Sequence, residues 1–421
     1  MKTIERTAGK KEIYLQIAQQ FGTPVYVYDA NVMIDQYKRL QNAFTKVPTR
    51  FHYACKALSN HNIMKLFQKL GAGLDAVSIQ EVELGLLAGF SPKEILFTPN
   101  GVGLEEIVHA VDQGVSINID NLSILEQFGA RYGSSVPVCV RLNPHIMAGG
   151  NYKISTGHID SKFGISIHQL RHLERIISYY DIRVEGLHMH TGSEIVDVDV
   201  FLQGAEILLD AACDFEHVHY VDFGSGFKVA YKPGEKGTPI EELGERLSDL
   251  VMKYCQKMGK RLEMVFEPGK FLVSEAGVFL SEVNVIKQTT ATVFAHVNSG
   301  LNHFIRPMFY DSYHHILNLS NPEGKERIYT VVGNICETDT FAWDRPLPEV
   351  SEGNLLAFLN AGAYLQTMSS NYNSRFRPAE VMILDDKIYL IRKRENLNDL
   401  LATQIPVEFE LSISSKEIQT V

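Results

Sequence analysis

A chain of 421 residues with 45% hydrophobic and 21% charged residues has room for two domains and the composition of a soluble globular protein. Its net charge of −10 is spread along the chain, which speaks against a nucleic-acid surface or an anionic membrane face, and no apolar run reaches transmembrane length. Five scattered cysteines form neither a disulfide framework nor a zinc pattern, and together with a polar N-terminus (Met1 to Lys11) they point to a reducing cytoplasm.

The first β-rich run, Pro24-Val25-Tyr26-Val27-Tyr28, precedes the first helical pattern. Eight more follow: Phe51–Cys55, Gly73–Val77, Ile95–Thr98, Val115–Ile119, Val136–Leu142, Val184–His190, Val218–Phe223 and Leu262–Glu267. Helical periodicities separate most of them; Ile79, Val82, Leu86, Leu87 and Phe90 line one such stretch. Eight strands alternating with helices predict an α/β fold with a closed (β/α)8 barrel, and a doubly wound open sheet is the competing architecture. Beyond about Val283 the runs Thr292–Val297, Arg327–Val332, Leu355–Leu359, Val381–Leu384 and Val407–Leu411 carry period-2 character, and Asp385-Asp386-Lys387 reads as a hairpin turn. The division expected is a barrel over 30–280 and a β-domain formed by 1–29 with 281–421. The tail beyond Ser412 is polar and is expected to be disordered.

In such barrels the chemistry sits at the C-terminal mouth of the strands. The strand ends here supply Lys56, Asp75, Thr98, Asp120, Arg141, His190, the Asp222–Gly226 turn and Glu267, nearly all of them able to bond or titrate. Lys56 stands where partial desolvation would lower an ammonium pKa and leave a nucleophilic amine. Gly224-Ser225-Gly226 directly follows a strand, so its backbone N–H groups can approach a phosphate, or it is simply a tight turn. His188 and His190 share one strand face, as a metal pair would, yet no third ligand lies near in sequence. Glu267, buried at a strand end, needs a partner such as a protonated ring nitrogen. Arg306 beside Tyr310 offers a clamp for a carboxylate, Tyr364 ends a strand of small residues, and Cys336 is either a small core hydrophobe or a partly exposed functional thiol.

In this order the segments resemble the fold-type III pyridoxal-phosphate decarboxylases, with the alanine racemase-like barrel and β-domain, and most closely their diaminopimelate branch. The resemblance runs from Thr23-Pro24-Val25 to Arg377-Pro378. Its most specific stretches are Arg141-Leu142-Asn143-Pro144, Lys153-Ile154-Ser155-Thr156-Gly157, Ser161-Lys162-Phe163-Gly164-Ile165, His188-Met189-His190-Thr191-Gly192-Ser193, Glu267-Pro268-Gly269, Ile305-Arg306-Pro307, Cys336-Glu337 and Asn360-Ala361-Gly362-Ala363-Tyr364.

The resemblance implies pyridoxal phosphate as cofactor, joined to Lys56, with His190 stacked on its ring and Glu267 on its ring nitrogen. Ser193, Gly226, Gly269 and Tyr364 would surround the phosphate, and Asp75 and Arg141 would support the ring. Lys270, Arg306, Tyr310, Glu337 and Tyr364 would bind the substrate, an amino acid. Cys336 would be the proton donor. Cys336 and Glu337 would come from the partner subunit of a homodimer, and no metal, nucleic acid or membrane is implied. Two positions depart from the family pattern: Lys270 stands where arginine is usual, which loses the bidentate fork, and Thr338 replaces a serine. Arg306 suits the distal carboxylate of diaminopimelate, and Glu337 with Ser161–Ile165 favours the same substrate. Asp311 alone does not separate it from ornithine or arginine, and carboxynorspermidine decarboxylases tend to be acidic where Lys270 stands. A non-catalytic relative would have lost Lys56 or Cys336, and both are present.

Overall fold

The computed structural model describes residues 2–146 and 161–409. Two helices, Lys2–Gly9 and Lys11–Phe21, open the chain and lead to β1 (Val25–Asp29). The next nine strands are β2 (Thr49–Ala54), β3 (Gly73–Ala76), β4 (Ile95–Phe97), β5 (Ser116–Ile119), β6 (Val138–Asn143), the short β7 (Ile165–Ser166), β8 (Val184–His188), β9 (Tyr220–Asp222) and β10 (Glu263–Phe266). Their parallel order is β5-β4-β3-β2-β10-β9-β8-β6, and a β5–β6 pairing closes the ring, with β7 appended to β6. This is the eight-stranded barrel expected from the alternation of strands and helices, and the closure excludes the open sheet. Its strands are apolar because both faces are covered: β6 is buried at all its residues, and β3 and β10 at all but their first.

The remaining strands are β11 (Gly277–Gln288), β12 (Val293–Val297), β13 (Ile316–Asn318), β14 (Glu326–Val332), β15 (Thr340–Pro348), β16 (Leu355–Leu359), β17 (Ala379–Leu384) and β18 (Lys387–Arg392). With β1 they form a second, mixed sheet along β15-β14-β12-β11-β1-β17-β18, in which β16 joins β11 to β13. β1 is wholly buried between antiparallel β11 and parallel β17, so the run before the barrel does belong to this sheet. Tyr14 and Ile17 of the N-terminal helices pack on its face against Val25, Val278 and Val381. The hairpin forms where it was read: Leu384 pairs with Lys387, and Asp385 and Asp386 both take positive φ (48° and 61°), as a tight two-residue turn requires. Val407–Phe409 is not a strand; these residues are exposed and make no sheet pairing, and Glu410, Leu411 and the tail lie outside the described residues. The segment Lys153–Gly157 also lies outside them.

Two links hold the mixed sheet to the Lys56 turn. Tyr364 N–H donates to Ala57 O (2.9 Å). Glu380 of β17, fully buried, accepts from Tyr28 Oη (3.0 Å) and Asn60 Nδ2 (3.2 Å) and pairs with Arg392. A buried carboxylate left without such donors would be costly; Tyr28 and Arg392 belong to the sheet itself, and the Asn60 bond is the one that ties Glu380 to the barrel.

Candidate active site

The strand ends converge on one cup. Lys56 lies in a single helical turn, Cys55–Ala57, immediately after β2. Its ammonium donates to Asp75 Oδ2 of neighbouring β3 (2.5 Å). Solvent reaches 39% of the Lys56 side chain while none reaches Asp75, as befits a residue on the floor of an open cup walled by protein. Burial works against the ammonium, but Asp75, Glu267 and Tyr364 outweigh it and hold its pKa above the ordinary lysine range. The lowering expected from desolvation alone is therefore reversed by carboxylates that only the barrel closure brings close. Asp75 is pushed up to about 7, first by its own burial and then by the Glu267 charge.

Glu267, just past β10, is held in place through its backbone, whose N–H donates to Gly224 O (2.7 Å). Thr98 Oγ1 donates to its Oε1 (3.3 Å), and His188 Nε2 stands 3.4 Å from Oε2. The Asn118 amide bonds His188 Nδ1 (2.8 Å), which assigns the ring proton to Nε2, facing Glu267. Burial pushes the His188 pKa down, and Glu267 is held below the usual carboxylate range, against its own burial, by His188 and by the Lys56 charge. Asp222, a further buried carboxyl, is pushed up by burial and by Glu267. His188, Asp222 and Glu267 bring one ligand atom each within 4.8 Å of one another, and His190 is not among them, so the histidine pair read along the strand is not brought together with a third ligand.

The two loops beside Glu267 form a glycine cradle. Gly224 and Gly226 have φ of +61° and +90°; a Cβ on Gly226 would meet Gly192 O at 2.1 Å, and one on Gly224 would meet Met189 O at 2.6 Å and His190 Nδ1 at 2.7 Å. Only glycine fits at either position. Ser225 N–H donates to His190 Nδ1 (3.3 Å), and burial drives the His190 pKa down to about 3, so this ring is neutral. Ser193 lies half-buried in the facing loop, and Gly269 packs its Cα against Ala54 at the foot of the Lys56 turn. Arg141, also buried, stacks its guanidinium 4.9 Å from the Phe163 ring.

A second cationic corner adjoins Tyr364. Arg306 is 5% exposed, its Nη2 donates to Ser312 Oγ (3.2 Å), and its Nε lacks a partner. The rings of Tyr310, Tyr231 and Tyr364 surround it at 5.3, 5.8 and 6.0 Å. Lys270 lies 5.5 Å from the same Tyr231 ring and donates to Glu194 Oε1 (3.0 Å). Tyr231 and Glu194 were not read from the sequence. Each sits in an irregular segment, and neither carries a motif. Cys336 and Glu337 differ from all of these: they are exposed on the loop between β14 and β15, and their bonds run to Tyr372 and Asn373.

Residues 31–274 match the family described as "Pyridoxal-dependent decarboxylase, pyridoxal binding domain". The diaminopimelate decarboxylase of Methanothermobacter thermautotrophicus is 39% identical over 404 residues, 93% of each chain. That of Aquifex aeolicus is 33% identical, over 93% of this chain and 94% of its own. The solved structure of the M. jannaschii diaminopimelate decarboxylase in complex with L-lysine superposes with a TM-score of 0.86 at 30% identity, over 94% of both chains. With a lysine on the cup floor, a deep carboxylate opposite it and the profile match spanning the barrel, the chain belongs to the pyridoxal-dependent decarboxylases.

Proposed function

We propose that this enzyme decarboxylates meso-2,6-diaminopimelate to L-lysine and CO2, the last step of lysine synthesis, with pyridoxal phosphate as cofactor and as a homodimer. The observation that carries the substrate choice is Arg306, a buried guanidinium with an open Nε, ringed by three tyrosines beside the cup. Diaminopimelate has a carboxylate at its distal end, and a guanidinium fork is the group that binds one best. The relatives named above are diaminopimelate decarboxylases matched over 93% and 94% of their length, which supports the same reading.

The cup fits the cofactor. The turn at Gly226, which admits no Cβ, suits close approach of main chain to a phosphate although the Gly224 and Ser225 N–H groups are held by Asp222 and His190, an ionised deep carboxylate suits a protonated ring nitrogen, and Lys56 supplies the amine that bonds an aldehyde. When bound, pyridoxal phosphate supplies the electron sink for the pair left behind by departing CO2. Glu267 would keep a proton on the ring nitrogen, His190 would pack against the ring, and Asp75 would take up or return the Lys56 proton. Ser193, Gly226, Gly269 and Tyr364 would hold the phosphate, and Arg141 would support the ring. Arg306 and Tyr310 orient the distal carboxylate, and Glu337 faces the distal ammonium. Lys270, its charge already matched by Glu194, contributes to the rim of the corner rather than acting as a free carboxylate ligand. Cys336 donates the proton that completes the product. Because Cys336 and Glu337 are exposed on the mixed sheet, they serve the cup of a second copy. All five thiols are free, which agrees with a reducing compartment such as the cytoplasm.

The direct test is CO2 release by the purified protein with pyridoxal phosphate, offering meso-diaminopimelate, ornithine, arginine and carboxynorspermidine in parallel. Release from diaminopimelate alone, with lysine formed, is the expected result. Release from a polyamine precursor instead would refute Arg306 as the specificity group, and inactivity on all four would refute the reaction.

A further inference from the structure

The segment Tyr372–Arg375 grips the loop that carries Cys336. Asn373 brackets the cysteine: its Oδ1 accepts the Cys336 backbone N–H (3.0 Å), and its Nδ2 donates to Cys336 Sγ (3.1 Å). The orientation of this amide is fixed, because the backbone N–H is only a donor and must face the oxygen. Tyr372 Oη donates to Glu337 Oε1 (2.8 Å) and stands 3.8 Å from Cys336 Sγ, and Arg375 Nη2 donates to Asn334 O (2.9 Å). The bond to Glu337 pushes the Tyr372 phenol up to about 12, so the tyrosine remains a donor to that carboxylate through the neutral range.

Asn373 and Ser374 both hold φ of +55°, a conformation that side chains rarely adopt and that is kept only where surrounding contacts impose it. All of this is found on an exposed surface, where strain and side-chain ordering gain nothing from burial. Resting on the assignment of Cys336 as proton donor, we infer that Asn373 is a positioning residue for that thiol. The amide donates into a sulfur lone pair, so the S–H proton is not spent on Asn373 and is left to point outward to the substrate carbon. Proton transfer breaks the S–H bond and forms the C–H bond; the same Nδ2–H then faces the anionic sulfur until solvent reprotonates it.

Two substitutions in the assembled holoenzyme separate positioning from mere loop support. Asn373→Gly keeps the left-handed backbone and removes both contacts. Asn373→Asp keeps the acceptor for the Cys336 N–H but sets an oxygen against the sulfur. With meso-diaminopimelate, both should lower kcat about tenfold or more with little change in KM, the scale of a misplaced general acid. Both should also alter the rate at which iodoacetamide alkylates Cys336 in the absence of substrate, while the visible absorbance of the lysine-bound cofactor is unchanged. An Asn373→Asp enzyme with wild-type kcat and alkylation rate would overturn the inference, because the backbone clip alone would then suffice. Cys336→Ala serves as the control. If it turns over normally, the donor assignment falls and the inference falls with it. If Cys336→Ala is slow while Asn373→Asp is not, only the positioning role is lost.

Discussion

The barrel mouth and the loop carrying Cys336 treat their chemical groups in opposite ways. At the mouth, Asp75, Glu267, His188 and Arg141 are at most 7% exposed; burial drives the pKa shifts of Asp75, His188 and Arg141, and at Glu267 it is overcome by His188 and the Lys56 charge. Their positions come from strand ends in a closed ring. At the loop, Cys336 and Glu337 are exposed, and side-chain hydrogen bonds from Tyr372 and Asn373 set their geometry. The buried groups of the cup all come from one barrel. The loop orders its groups on an exposed surface.

The sharpest way to break this comparison is to remove one group from each region. Lys56→Ala should reduce CO2 release to background and abolish the visible absorbance of the lysine-bound cofactor; retained absorbance would disqualify Lys56. Cys336→Ala should keep the absorbance and lose about a hundredfold in turnover, within the range for removing a general acid. Neither chain is expected to be active alone, yet co-refolded Lys56→Ala and Cys336→Ala chains should recover part of the activity through hybrid dimers. Hybrids shown to form by mass spectrometry but remaining inactive would place both groups on one subunit.

A smaller effect tests the cationic corner between the two regions. Arg306→Gln removes a charge-assisted pair worth about 1.5–3 kcal/mol, so KM for diaminopimelate should rise roughly tenfold to a hundredfold, with kcat less affected. Lys270→Gln should raise KM far less, because Lys270 is already paired with Glu194. Equal effects of the two substitutions would return Lys270 to the role of substrate ligand.

The contrast also explains what the sequence discloses. The barrel is legible because each strand is a short apolar run ending in a polar residue, and Lys56, Asp75, Thr98, Arg141 and Glu267 meet because the ring closes. The mixed sheet is legible in its alternating strands and in the Asp385-Asp386 turn. Val407–Leu411 has the same alternation, yet its described residues 407–409 are exposed and unpaired: period alone cannot say whether a partner strand exists. The helix Lys2–Gly9 escapes notice because it is polar, with Thr7 buried among its described side chains. Glu194, Tyr231 and Asn373 are invisible for a different reason. They lie in irregular segments, and their importance exists only through contacts more than about thirty residues away in sequence: Lys270 for Glu194, Arg306 for Tyr231, Cys336 for Asn373. Even the direction of the Lys56 pKa depends on such contacts, since Asp75 and Glu267 reverse what burial alone would do.

The smallest effect expected concerns stability, and it shows how the buried region depends on pH. His52 on β2 packs over Gly73, its Nδ1 has no hydrogen-bond partner, and burial with the Arg50 charge pushes its pKa down to about 4. The unfolded chain takes up a proton at this histidine below its ordinary pKa of about 6.5, whereas the folded chain resists until about 4. Its contribution to stability is therefore full above about pH 6.5 and is lost as the pH falls through that window. Between about pH 8 and about pH 5 the loss from this one group is on the order of 2 kcal/mol. Asp75 opposes it, because a carboxyl raised to about 7 binds its proton earlier in the folded state and gains stability on acidification. His52→Leu should remove that acid-sensitive contribution while Asp75 keeps its opposite one, so the fall in melting temperature from pH 8 to pH 5 should shrink relative to the parent. An undiminished fall would mean that His52 is not the group that titrates, and that the acid sensitivity resides in the other histidines whose pKa values burial lowers, His188 and His190 at the barrel mouth and His303 and His314 beyond it.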